Sequence, residues 1–161
     1  MKNLLFILIL FPCLSFAGSF IPLLDDFEPT YEVEIKAVKP NFVVDSIRRG
    51  TDDGNYASTS DAGIITFRLT NLPKQVQGYI FEIVEGDFED RLFIGNPVTP
   101  SKYVKDKSEF TFIWLDGSSE EQEAFKVKVK ITAVSISGNK SESQYLTVSH
   151  AGVQKPWWKF W

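Results

Sequence analysis

The sequence predicts an all-β protein, folded as an antiparallel sandwich of about seven to eight strands. Three observations carry that expectation. Short stretches that alternate apolar and polar residues, or are rich in β-branched and aromatic ones, recur between turn-forming residues. No internal repeat, heptad or long helical pattern competes with them. The 161 residues hold a single cysteine, Cys13, so no intrachain disulfide can form and stability has to come from a packed core.

The strands follow in order. Tyr31 to Ala37 alternates strictly, with Tyr31, Val33, Ile35 and Ala37 on one face, and predicts the first strand. Pro40-Asn41 ends it, and Phe42 to Ile47 predicts a second. Arg48 to Gly63 is polar and glycine-bearing and reads as a long loop. Ile64 to Thr70 puts Ile65, Phe67 and Leu69 on one face. Asn71 to Gly78 reads as a turn, and Tyr79 to Val84 as a strand. Arg91 to Ile94 reads as a short strand, then Phe110 to Leu115 as a longer one. An acidic connection spans Ser118 to Ala124. The clearest strand follows, with Phe125, Val127, Val129, Ile131 and Ala133 on one face and Lys126, Lys128 and Lys130 on the other. Gly138-Asn139 turns the chain, and Gln144 to Val148 returns it.

Residues 127–141, VKVKITAVSISGNKS, resemble the last hairpin of fibronectin type III and related immunoglobulin-like domains. The order Ala133, Val134, Ser135 and Gly138 carries the likeness. Ile64 to Val148 can be laid on strands B to G of such a domain. Val127 stands where that family usually has tyrosine, and Phe67 where it usually has tryptophan. The resemblance implies an immunoglobulin-like sandwich. It implies no function, because such folds host many.

Residues 1–17 read as a cleaved signal peptide. Lys2 precedes an apolar run from Leu4, and Ser15 and Ala17 supply small residues before the cut. The expected organisation is then an extended lead-in over 18–30, a sandwich over 31–149 and an aromatic tail over 150–161. The expected location is periplasmic or extracellular. Losing Lys2 leaves 16 basic against 21 acidic side chains, a net charge of −5, which argues against nucleic acid as a partner.

Catalysis lacks its usual groups. The one histidine, His150, follows the last strand, and no GxSxG, HExxH or P-loop spacing occurs. No enzyme activity and no cofactor are expected. Calcium needs six to eight converging oxygens. Asp87, Glu89 and Asp90 are weak candidates, as are Asp52, Asp53, Asn55 and Asp61 in the long loop. The plainer reading is solvated charge. The lysine stripe either binds an anionic polymer or pairs across the sheet with Glu32 or Glu34.

Two places suggest recognition. Arg48, Arg49, Asp52 and Asp53 charge the long loop. Trp157, Trp158, Phe160 and Trp161 crowd the chain end, and could pack on their own domain, dock on a partner or sit peripherally at a membrane surface. The expectation is an exported, non-enzymatic binding module of the bacterial envelope with a protein or glycan partner. A carbohydrate-binding accessory protein and a purely structural envelope component are the alternatives.

Overall fold

Apolar alternation decides the long strands, and a computed structural model bears this out over the residues it describes: 22–31, 34–51, 60–88, 91–116 and 122–152. Eight strands lie among them: β1 (Leu24–Asp26), β2 (Phe42–Arg48), β3 (Ala62–Leu69), β4 (Gln77–Glu85), β5 (Val98–Pro100), β6 (Glu109–Leu115), β7 (Phe125–Ser135) and β8 (Gln144–His150). They form two antiparallel sheets, one ordered β1-β5-β4-β7-β8 and one ordered β2-β3-β6. The described residues contain no helix. The fold is an all-β sandwich.

The period of two sends one set of side chains inward from each sheet. Ile65, Phe67 and Leu69 of β3 face Val127, Val129, Ile131 and Ala133 of β7, all buried. Phenylalanine fills the space between. Phe81 of β4 lies at its centre, 4.8 Å from the Phe112 ring and 5.3 Å from that of Phe67. Phe42 meets Tyr79 and Phe110 edge to face, at 5.1 Å each. Such pairs add specificity to ordinary apolar burial.

Two predicted strands are not strands. The first, Tyr31 to Ala37, is irregular over its described residues, and Val33 lies outside them. Tyr31 takes a left-handed φ of 59°, which no strand accommodates, and its ring is exposed against Gly138. Side chains replace a neighbouring strand as hydrogen-bond partners. The Ser137 hydroxyl accepts from the Ile35 N–H and donates to the Ile35 carbonyl, both at 2.8 Å. Gln77 serves the N–H and carbonyl of Val38 in the same way, and Gln144 those of Phe42. Side chains thus satisfy the backbone of Ile35, Val38 and Phe42 as the chain runs to β2.

The second, Arg91 to Ile94, fails for a different reason. Leu92 is buried and its neighbour Phe93, partly buried, packs tilted on Phe81 and edge to face on Phe112, so consecutive side chains both turn to the core. A strand would have sent one of them outward. In their place the structure has β5 and β1. Leu24, Asp25 and Asp26 pair with Pro100, Thr99 and Val98, so part of the presumed lead-in is an outer strand of the five-stranded sheet. The chain then passes over that sheet's outer face, where Phe27 packs with Ile80 and Val134 in a second small core.

Candidate functional site

The two ends of the sandwich differ in chemistry. At one end, residues 70–76 link β3 to β4, and residues 101–108 link β5 to β6. Between these connections lies a cleft of about 440 Å³, within the range of ligand sites. Tyr79 and Phe110 line it from the core, and Leu69, Leu72, Pro73 and Val76 from one connection. Lys74, Lys102 and Lys107 also line it, and no carboxylate does.

The sequence leaves this end unusually apolar. Leu72 is 60% exposed, Val76 67% and Tyr103 60%. Lys74, Lys102 and Lys105 form no ion pair among the described residues. Lys102 lies over the Tyr103 ring, 5.1 Å from its centroid. Lys107 instead donates to the Ser101 carbonyl at 2.6 Å.

The 101–108 connection is built, not loose. Its Asp106 carboxylate accepts from the Ser108 hydroxyl and N–H and from Arg68, and these bonds hold its pKa below the usual aspartate value. Arg68 gathers Asp45, Asp106 and Glu109. Asp45 is free to join because a bulge between Val44 and Ser46 leaves it out of the β2–β3 register. Asp45, Asp106 and Glu109 near this end are thus bound to arginine, while Asp25 and Asp26 of β1 are exposed opposite Thr99 and Val98, and Lys74, Lys102 and Lys105 have no ion-pair partner among the described residues.

Burial pushes the Tyr79 hydroxyl above its ordinary pKa, with a hydrogen bond from Gln77 opposing the shift, so it stays neutral near pH 7. The lining residues include no histidine, cysteine or carboxylate that could act as base or nucleophile. What the lining offers is apolar surface and positive charge.

Among the described residues a buried ion pair closes over the opposite end of the core. Arg49 grips Asp116 through Nε and Nη2, with bonds of 2.7–3.0 Å, and both side chains are almost fully buried. The same carboxylate accepts from the Gly50 N–H at 2.6 Å and from the Trp114 indole at 3.1 Å. Arg49 Nη1 reaches the Glu123 carbonyl, and Gln122 donates to the Gly50 carbonyl. Burial alone would raise the Asp116 pKa, but the bonds from Arg49, Gly50 and Trp114 outweigh it and hold the carboxyl below its usual range.

The proposed loop residues therefore part company. Arg48 is exposed at the end of β2, whereas the Arg49 guanidinium is committed internally. Asp52, Asp53 and Asn55 lie outside the described residues. So do Glu89 and Asp90, while Asp87 is exposed beside a recess of about 230 Å³ lined by Phe88, Trp114 and Phe125. Asp61 gives its carbonyl to the Asp116 N–H. Among the described residues no group of three or more histidine, cysteine or acidic side chains could hold a metal. Trp157, Trp158, Phe160 and Trp161 also lie outside them. His150, on the outer strand β8, stacks on Phe125 and accepts from the Gly152 N–H.

Two lysines of the stripe are paired, but not as expected. Lys128 bonds Glu85 and Lys130 bonds Glu82, both on β4, not Glu34. Glu32 lies outside the described residues. The cleft residues escaped sequence reasoning because Asn71 to Gly78 reads as an ordinary turn and 101–108 carries no periodic pattern. One signal was present: both place lysines beside large apolar residues in an otherwise acidic chain.

No protein-family model matches the chain, and no curated protein and no solved structure matches it either.

Proposed function

We propose that this protein is an exported, non-enzymatic binding module of immunoglobulin-like, fibronectin type III-like architecture, acting in the bacterial envelope through its open end. The strand order supports the architecture. Lettering β3 to β8 as B, C, C′, E, F and G puts C, F and G side by side with C′ outside them, as in such domains. The single observation that carries the functional reading is the cleft: about 440 Å³, apolar, ringed by lysines and carried on connections pinned to a rigid sandwich. Contact, not chemistry, is what such a surface can provide.

A photo-crosslinking side chain at Val76 tests this in envelope fractions of a bacterial host. A discrete adduct is expected from position 76 and none from the same probe at Thr147, which is exposed on β8. No adduct to protein or lipid from position 76, or equal labelling from both, would remove the open end as the binding surface.

A further inference from the structure

We infer that the open end docks on an anionic lipid surface, with its connections entering the headgroup layer. This rests on the reading of that end as the binding surface, and names its partner. The chain carries a net charge of −4, which should repel an anionic bilayer. Its charge is nevertheless sorted. Lys74, Lys102 and Lys105 stand on the two connections without ion-pair partners among the described residues, while the one carboxylate on those connections, Asp106, is held by Arg68 and Ser108.

Leu72, Val76 and Tyr103 stand beside those lysines, each more than half exposed. Aliphatic side chains, tyrosine and lysine together suit the headgroup boundary: the apolar bodies enter the acyl edge and the ammonium groups remain with lipid phosphate. A nucleic acid would satisfy the charge but leave the aliphatic side chains in water. A neutral apolar protein face would cover the aliphatic groups and bury unpaired lysines. A bilayer with anionic headgroups answers both at once. The cleft beneath gives the apolar side of the contact depth.

Each lysine near such a surface contributes about fivefold to affinity, so three contribute roughly a hundredfold. The test is co-sedimentation of the full chain with vesicles of phosphatidylethanolamine and phosphatidylglycerol, against vesicles of phosphatidylcholine alone. Binding is expected to the anionic vesicles, weakened by 0.5 M salt. Lys74→Ala with Lys102→Ala and Lys105→Ala should abolish most of it. Leu72→Ser with Val76→Ser and Tyr103→Ser should weaken it even at low salt. All six side chains are exposed, so unchanged melting curves will show that the variants fold.

No binding to anionic vesicles overturns the proposal. Binding that survives both triple variants overturns it as well, including binding lost only on Trp157→Ala with Trp158→Ala and Trp161→Ala. Saturable binding of laurate without vesicle binding would replace the bilayer with a free amphiphile. A protein adduct at position 76 without vesicle binding would overturn the lipid partner and leave the binding-module reading standing; no adduct and no vesicle binding would end both.

Discussion

The two ends of this sandwich use similar groups to opposite effect. At the closed end, Arg49 and Asp116 are buried against one another, and Trp114 and Gln122 complete the set. At the open end, Lys74, Lys102 and Lys105 have no such partners among the described residues, and Leu72, Val76 and Tyr103 face water. A charge satisfied internally ties the β2–β3 and β6–β7 regions together and has nothing left for a ligand. A charge left unsatisfied adds little to folding and remains available. Stability and recognition should therefore separate cleanly by end.

The largest effect expected is from Arg49→Ala. Removing one partner leaves the Asp116 carboxylate buried without its counter-ion, which generally costs about 3–5 kcal/mol. For a chain of this length that lowers the melting temperature by about 6–20 °C. Calorimetry would read it, and vesicle binding at a temperature where the variant is folded should be unchanged. A variant as stable as wild type would show that the pair is not what closes this end.

Gly63→Ala tests the same end through packing. A Cβ there would lie 2.2 Å from the Trp114 ring, so the indole must move and its bond to Asp116 must lengthen. Overpacking of this kind costs about 1–3 kcal/mol. Urea denaturation measures it, and an unchanged midpoint would mean that the ring has room the structure does not show.

Acid should act on the closed end as well. The Asp116 pKa is lower in the folded protein than in the unfolded chain, where an aspartate titrates near pH 3.9. Its contribution is complete above that value. It is lost as pH falls through the depressed native pKa, because the unfolded chain binds the proton first. Asp45 and Asp106, whose pKa values also lie below the ordinary one through bonds from Arg68 and Ser108, add to the same acid limb. Asp116→Asn should start from a less stable protein and show a shallower loss below about pH 4. Parallel acid limbs for variant and wild type would exclude Asp116 as a contributor.

How much of this was legible depended on what each segment asks of its residues. The strands β3, β6 and β7 alternate because one face is buried, so Ile65, Phe67, Phe112 and Val129 could be placed from the sequence. Tyr31 to Ala37 alternates just as strictly and is irregular over its described residues. Ile35 there bonds the side chains of Ser137 and Asn139, and Val38 just beyond bonds Gln77, all far along the chain, and no local pattern encodes such pairing. Leu24 to Asp26 could not be foreseen either, because two aspartates and a short reach give no periodic signal. At the closed end, Arg49 and Asp116 looked like turn residues; their burial depends on a contact across 67 positions. The open end was hidden because its value lies in what its lysines lack.

The smallest effects come from the lysines, and they sharpen the contrast most. On β7, Lys128 and Lys130 sit opposite Glu85 and Glu82 on the solvent face of the sheet. The bond that Lys130 donates to Glu82 raises the lysine pKa above its ordinary value, but the pair is exposed and screened by solvent. Lys130→Ala should lower the denaturation midpoint only slightly, and by less still in high salt. Lys102→Ala has no ion pair to lose and should leave the midpoint where it was. Vesicle binding should respond in the reverse order: unchanged for Lys130→Ala and clearly weakened for Lys102→Ala. If both variants weakened binding equally, net charge and not placement would govern the contact, and the distinction between the two ends would fail.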